Sequence, residues 1–317
     1  MGNRTVWLLI LAALTAVMAA SPSWSKPSAA QGSAADPATD KLAQVLARGT
    51  LIMATDPAYP PQSYRVDGAK RLAKTRCAAN QLTGNQMAGY DADTSKLVAK
   101  GLGVEPCFVA PTWSEMISGH WGDRFDIAIA SIGILRDRMA RLYYTQPYAA
   151  IPERFFVRSD SPFKTVQQLS GRRLGGCGGC AAQAYIQRRL VMPGQQIPFL
   201  VKHATFVGYD VEANGLADVG RGKLDAFLCS VAVGAKAIKS GVPLRSVGGD
   251  RYYGVLSGAV DQFSNFTSAA FVAKVDTTVR KLHQSGTLRR LSRRYFGFDF
   301  ATKGSEFDIA NLRQRVK

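Results

Sequence analysis

Acidic residues are scarce in this sequence. Its 317 residues include 23 Asp and Glu against 40 Lys and Arg, which gives a formal net charge of +17. Such a charge favours anionic ligands or anionic surfaces. The basic residues are nevertheless dispersed, and no motif with base-stacking aromatics accompanies them. The densest cluster, residues 280–297, alternates with apolar residues at helical spacing and predicts an amphipathic helix pair, so we expect no nucleic-acid partner.

Long apolar runs are also missing, with one exception near the N-terminus. Residues 6–20 are apolar, follow Arg4 and precede a segment rich in Ser, Pro and Ala. The run is shorter than the roughly 20 residues of a membrane-spanning helix. We therefore predict a signal peptide and leader over residues 1–30, cleaved after about Ala20 or Ala30, and a flexible leader over 31–40. No cysteine follows the run to accept a lipid, so the mature protein is expected to be soluble and periplasmic.

Histidine is rare as well. His120, His203 and His283 are the three histidines, and none has a partner pattern typical of catalysis or metal binding. We therefore expect no cofactor and no metal.

What the chain does have is a repeated strand and helix rhythm. Apolar strands are predicted near residues 51–55, 104–111 and 125–131, with helices between them, and this order indicates a parallel sheet covered by helices. After Tyr148 the rhythm restarts, which predicts a second lobe. The fold class is therefore α/β with two lobes, each a mostly parallel sheet flanked by helices, and a ligand cleft between them.

The third of these strands runs directly into basic residues. In "FDIAIASIGILRDRMARLYYTQPY", residues 125–148, the strand is followed by Arg136, Arg138 and Arg141. Ligands of open α/β sheets bind beyond the carboxyl ends of the strands. A guanidinium at that position can hold an anion through two parallel hydrogen bonds.

Several strings together resemble a known family. They are "GTLIMATDPAYPP", "GYDADTSKLVAKGLGV", the 125–148 segment, "LSGRRLGG", "GKLDAFL" and "LHQSGTLRRLSRRYFG", in this order along residues 41–300. They resemble the periplasmic solute-binding proteins of polar amino-acid ABC importers, family 3, which have the type II periplasmic-binding-protein fold. The resemblance implies lobe 1 at 41–150 plus 256–317 and lobe 2 at 151–255, with two hinge segments near residues 148–152 and 252–256 about which the lobes close. It also implies a monomer that delivers solute to an ABC permease.

The resemblance also assigns ligand-facing positions on lobe 1. Asp56 and Tyr59 follow the first strand, and Trp113 takes the place of an aromatic ring that packs on the ligand. Ser131, the backbone at Gly133, and Arg138 take the places that hold the ligand's carboxylate. Asp91 and Asp93 are interpreted as turn and helix-cap residues.

On lobe 2 the sequence departs from the family. Cys180 and Ala181 stand where a hydroxyl pair is usual, and Ser230 stands where an acidic residue usually holds the α-ammonium. A buried ammonium without a counter-charge is costly. The sequence therefore predicts a small carboxylate or other anion without a free α-amino group as the ligand.

The cysteines number five, so one is expected to be free. Given the lobe assignment that the resemblance implies, we expect Cys77 to bridge Cys107. Cys177 and Cys180 form a C-x-x-C motif at a predicted helix start, interpreted as a local disulfide, with a redox dithiol as the alternative. Cys229 is then the free thiol.

Two other classes of function stay open. One is a periplasmic enzyme on the same fold, similar to cyclohexadienyl dehydratases, which needs an acid or base in the cleft. The other is an accessory redox or metal protein using Cys177, Cys180 and Cys229. The leading interpretation is a non-enzymatic binding protein with no catalytic residue.

Overall fold

The computed structural model describes residues 35–307 and residue 309. The predicted signal peptide and the first residues of the predicted leader lie outside this part of the chain. Among the described residues, no helix is both long enough and apolar enough to cross a membrane.

The described chain forms two large β-sheets and one small sheet. The strands are β1 (Thr50–Ala54), β2 (Ala58–Tyr59), β3 (Ser63–Arg65), β4 (Leu82–Thr83), β5 (Met87–Ala88), β6 (Glu105–Val109), β7 (Ile127–Ala128), β8 (Leu142–Tyr144), β9 (Ala149–Arg158), β10 (Arg173–Cys177), β11 (Thr205–Tyr209), β12 (Ala226–Ser230), β13 (Leu244–Leu256) and β14 (Ala259–Asp261). The helices are α1 (Lys41–Arg48), α2 (Tyr90–Leu102), α3 (Trp113–Ser118), α4 (Ala181–Ile186), α5 (Glu212–Gly220), α6 (Val231–Lys239), α7 (Ala269–Gln284), α8 (Thr287–Phe296) and α9 (Ala301–Ser305).

The first sheet has the strand order β4-β6-β1-β7-β14-β8. Its centre is parallel, because β1 pairs in parallel with β6 on one side and β7 on the other. The outer pairs, β4 with β6 and β14 with β7 and β8, are antiparallel. Strands β2, β3 and β5 form the small antiparallel sheet beside it.

The second sheet has the strand order β11-β10-β12-β9-β13. Strand β10 is parallel to β11 and β12, whereas β9 is antiparallel to both β12 and β13. The α/β class with flanking helices is confirmed, and each sheet is mixed, with a parallel part and antiparallel neighbours. Both sheets belong to one compact unit beginning at Ala35, so the division into two lobes at the predicted boundaries stays a prediction.

Two long strands connect the sheets. Strands β9 and β13 pair from Ala149 with Leu256 to Arg158 with Leu244, interrupted by a bulge between Val247 and Tyr252. Because the chain leaves the first sheet through β9 and returns to it after β13, the two crossings lie side by side. The predicted hinge segments, residues 148–152 and 252–256, fall on these paired strands.

The helix starts explain one wrong prediction. The N-cap of α2 is Gly89, not Asp93, and α2 therefore begins at Tyr90. Asp93 instead pairs with Lys96 at 2.6 Å. The predicted amphipathic pair at 280–297 corresponds to the end of α7 and to α8, whose buried Leu288 packs in the core of the first sheet.

Separate apolar clusters cover the two sheets. One unites β1 and β6 with α2 and α7 through buried residues such as Met53 and Phe271, and another packs Phe155 and Tyr185 on the second sheet. Residues beyond the carboxyl ends of β1, β7, β10 and β11 line one cavity, which is the position where open α/β sheets bind ligands.

Candidate ligand-binding cavity

A cavity of about 320 Å³ lies between the two sheets. The first sheet contributes the segments that follow β1 and β7, and the second sheet contributes those that follow β10 and β11. The predicted site residues on its wall are Asp56, Tyr59, Trp113, Ser131, Gly133, Arg138, Cys180 and Ala181. Because these residues come from distant parts of the sequence, the fold itself assembles the site.

Arg138 is the buried cation of this cavity. Its side chain is only 2% exposed although it follows a turn after β7. The guanidinium donates to the carbonyl oxygen of Gly133 at 3.3 Å and to that of Gly179 at 2.9 Å. It also lies 5.2 Å from the centre of the Trp113 ring, a cation–π contact. Arg138 is therefore held in place by both sheets.

Ser131 adopts a strained backbone conformation at the end of β7. Its φ of 52° is in the left-handed region, which serine rarely occupies. The Ser131 hydroxyl donates to Asp91 Oδ2 at 2.7 Å, and its backbone N–H donates to the Tyr148 hydroxyl at 3.1 Å. Tyr148 in turn donates to Asp91 Oδ1 at 2.9 Å. Such over-determined strain is typical of functional sites.

The sequence suggested a turn or cap role for Asp91. In the structure Asp91 is instead a buried hydrogen-bond acceptor behind Ser131. It is fully buried at the first turn of α2. Burial raises the pKa of the Asp91 carboxyl to about 7, while the hydrogen bonds from Ser131 and Tyr148 act in the opposite direction.

Tyr59 links the two sheets on the other side of the cavity. Its hydroxyl donates to Glu212 Oε2 at 2.9 Å, and Glu212 is the first residue of α5. Burial, followed by the charge of Glu212, raises the pKa of the Tyr59 hydroxyl well above its usual range. Asp56 also lines the cavity, although its Oδ1 accepts a local hydrogen bond from the Ala58 backbone at 2.8 Å.

The cysteine pairs lie in different places. Cys77 is bonded to Cys107 beside the first sheet, and Cys177 is bonded to Cys180 at the cavity wall, where Cys180 is the N-cap of α4. Cys229 is free and fully buried, and burial raises the pKa of its thiol well above the usual range. Cys177 and Cys180 are bonded to each other, so Cys229 is the one of these three cysteines with a free thiol. This arrangement does not support the alternative of a metal site with three thiolates.

Ser230 is the predicted site residue that lies outside the cavity wall described here. It is the N-cap of α6, and its hydroxyl accepts a hydrogen bond from the Val233 backbone at 3.3 Å. The side chain is therefore engaged in starting a helix.

Two glutamates that the sequence analysis missed line the same cavity. Glu153 lies on β9 and Glu212 begins α5. Burial raises the pKa of Glu212 to about 7, although its hydrogen bond from Tyr59 acts in the opposite direction. Burial and the nearby Glu212 charge raise the pKa of Glu153 well above its usual range. The position of Glu212 beyond the carboxyl end of β11 could have indicated a site residue in the sequence. Glu153 lies within an antiparallel strand, and its position in the sequence gave no such indication.

The family of the chain follows from its sequence. The sequence model of the bacterial extracellular solute-binding proteins, family 3, matches residues 77–298. The chain belongs to this family. The matched segment contains the predicted anion site around Arg138 and all five strands of the second sheet.

Known members and neighbours have low sequence identity to this family 3 protein. The L-cystine-binding protein TcyJ of Escherichia coli is 22% identical over 260 residues, covering 81% of this chain and 86% of the relative. The ABC transporter arginine-binding protein 1 of Escherichia coli is 24% identical over 216 residues, 67% and 83% of the two chains. Among solved structures, the ancestral amino acid-binding protein AncCDT-1, a precursor of cyclohexadienyl dehydratase, is 21% identical with a TM-score of 0.65, covering 81% of this chain and all of that one.

Proposed function

We propose that this protein is the periplasmic substrate-binding component of an ABC importer and that it binds an amino acid between its two sheets. Support comes from the distribution of charge around one cavity, with the buried Arg138 on one side and Glu153 and Glu212 on the other. A carboxylate accepts two parallel hydrogen bonds from a guanidinium, and an ammonium requires carboxylates. The cavity therefore suits both ends of a zwitterion.

This proposal revises the ligand that the sequence suggested. An anion without an amino group was predicted because Ser230 replaces the family's usual acid. Glu153 and Glu212 supply carboxyls that the prediction did not count, so the cost of an unpaired ammonium no longer applies. The relatives named for binding cystine and arginine agree with an amino acid.

Calorimetry on the mature full-length protein tests the proposal. The titrants are the standard L-amino acids, cystine, and the matching 2-keto and 2-hydroxy acids. We expect at least one amino acid to bind more tightly than its keto analogue, and Arg138→Ala to weaken that binding about a hundredfold or more, since a charge-assisted fork loses two hydrogen bonds of about 1.5–3 kcal/mol each. Binding that is restricted to acids without an amino group would contradict the proposal.

A second candidate is an enzyme acting on a bound carboxylate. The observation that favours it is the pair of cavity glutamates, because burial raises the pKa of Glu212 to about 7, a value suited to a general acid or base. Mass spectrometry of each titrant after prolonged incubation separates the candidates. A binding protein returns every ligand unchanged, whereas an enzyme converts one of them and loses this activity in Glu212→Gln.

A further inference from the structure

Carboxyl side chains outnumber cations at the cavity wall, whereas cations outnumber carboxyls in the whole chain. Charged side chains at its wall are Asp56, Glu153, Asp210, Glu212, Arg138 and Lys236. Asp210 and Lys236 are exposed at its edge, so three carboxyls face one guanidinium in the inner part. A zwitterion adds no net charge and leaves this excess of carboxyls in place, whereas a ligand with one additional positive charge reduces it.

The Glu153 carboxyl has no hydrogen bond or ion pair with any residue in the described part of the chain. Its antiparallel neighbours on the sheet are Ser230 on β12 and Tyr252 on β13. Neither side chain donates to it, since the Ser230 hydroxyl caps α6 and the Tyr252 hydroxyl has no hydrogen-bond partner. A half-buried carboxyl in a cavity without a donor is an acceptor available to a ligand.

The Tyr252 hydroxyl is a second, independent observation that points to a ligand group at this position. Its side chain lines the cavity and is only 4% exposed, yet its hydroxyl oxygen lacks a partner in the described structure. Unsatisfied buried hydroxyls cost about 1–3 kcal/mol, so a native structure rarely leaves one next to empty space without a reason. A ligand group between Tyr252 and the glutamates would satisfy all three side chains.

On the basis of the proposed function, we propose that Glu153 and Glu212, together with the Tyr252 hydroxyl, form a cation subsite that selects amino acids with a positively charged side chain. The subsite lies on the second sheet and Arg138 follows the first sheet, so a ligand with charges at both ends contacts both sheets. Guanidinium, ammonium and imidazolium groups all present N–H donors that carboxylates accept. A neutral side chain of the same shape leaves the carboxyls without a counter-charge.

Proton binding provides a second signature of this subsite. Burial raises the pKa of Glu212 to about 7 and that of Glu153 above its usual range, whereas a nearby cation lowers the pKa of a carboxyl, so a bound cation displaces protons from the pair. The other titratable or charged groups of the surrounding elements are Asp56 and Tyr59 after β1, Arg138 after β7, Asp210 before α5, Cys229 on β12, Lys236 on α6 and Tyr252 on β13, and Asp91 lies behind Ser131. Burial raises the pKa of the two tyrosines and of the Cys229 thiol and so favours their protonated forms, and replacing both glutamates tests whether the pair is the source of the released protons.

Arginine and citrulline are the matched probes, because citrulline is a neutral isostere of arginine. Calorimetry of the mature full-length protein at pH 6, 7 and 8, in buffers of different ionisation enthalpy, measures the affinity and the protons released. We expect arginine to bind at least tenfold more tightly than citrulline at pH 8, its affinity to rise with pH, and protons to be released by arginine only. Lysine, histidine, glutamine and glutamate complete the panel.

The double variant Glu153→Gln/Glu212→Gln assigns the effect to the pair. We expect it to bind arginine and citrulline with equal, reduced affinity and to release no protons, and an unchanged circular dichroism spectrum shows that it is folded. Glu306→Gln is the control, because Glu306 is exposed and pairs with Lys303, and neither residue lines the cavity.

The outcomes separate this inference from the proposed function. Equal affinity for arginine and citrulline in the wild-type protein, or an arginine preference that survives in the double variant, would refute the cation subsite and leave amino-acid binding intact. Failure of every amino acid to bind the wild-type protein would refute both.

Discussion

The Arg138 guanidinium donates a hydrogen bond of 2.9 Å to the carbonyl oxygen of Gly179, which lies between the two bonded cysteines of the second sheet. One side chain of the segment after β7 is thereby attached to the loop after β10. The Arg138 guanidinium donates to protein carbonyl oxygens in this structure. A ligand carboxylate is a stronger acceptor for the same N–H groups.

Arg138→Lys tests the geometry of that fork. Lysine keeps the positive charge but presents no planar pair of donors. We expect amino-acid affinity to fall about tenfold to a hundredfold, measured by calorimetry, with little change in melting temperature. Arg136→Lys is the matched control, because Arg136 is exposed two residues earlier. Unchanged affinity in Arg138→Lys would show that charge alone suffices.

Removing the cavity disulfide is expected to weaken ligand binding. The Cys177–Cys180 bond closes the short loop that carries the Gly179 carbonyl, so Cys177→Ser/Cys180→Ser frees the acceptor that positions Arg138. We expect severalfold weaker binding of the identified amino acid in calorimetry.

The other disulfide serves as the comparison. Cys77 and Cys107 are 30 residues apart and do not line the cavity. By loop entropy, Cys77→Ser/Cys107→Ser is expected to lose about 3–4 kcal/mol of unfolding free energy in urea, with affinity preserved. If this pair weakened binding and the cavity pair did not, the role given to Gly179 would be wrong.

Tyr59→Phe removes the hydrogen bond that joins the first sheet to Glu212. A single hydrogen bond contributes about 0.5–1.5 kcal/mol net, so we expect amino-acid affinity to drop by roughly threefold to tenfold. The lost donor also leaves the Glu212 carboxylate less stabilised, and the midpoint of any pH dependence of binding should therefore move to higher pH. A midpoint that moved to lower pH would contradict this.

Asp91 makes the stability of the fold depend on pH. Burial raises the pKa of its carboxyl from 3.8 to about 7, so the folded protein binds a proton more tightly than the unfolded chain does. This contribution is fully present below about pH 4 and declines as the pH rises to about 7, on the order of 4 kcal/mol in total.

Urea unfolding of Asp91→Asn between pH 4 and pH 7 checks this contribution. We expect the variant to lose less stability across the interval than the wild-type protein. Burial also raises the pKa of Glu212 to about 7, so a smaller decline remains in the variant. Parallel pH profiles of the two proteins would assign the dependence to other groups.

The strand and helix rhythm of the sequence predicted the α/β class, and strand ends predicted where most of the cavity wall lies. The strand predicted at 125–131 drew attention to Arg136, Arg138 and Arg141, and the family resemblance singled out Arg138 among them. Glu153 could not, since it lies on an antiparallel strand whose cavity-facing side depends on its pairing with Ser230 and Tyr252. The net charge of the whole chain gives no information about the charge of a few side chains that face inward.

The cavity wall carries more carboxyls than cations, whereas the whole chain carries more cations, and this difference has a kinetic consequence. A cationic amino acid approaching a chain of net charge +17 is repelled at long range and attracted only after it enters the cavity. Salt screens the long-range field far more than the enclosed one. The association rate constant for arginine should therefore increase with ionic strength, whereas its dissociation rate constant should change much less. Selectivity for a cationic amino acid should accordingly appear as a longer lifetime of the complex.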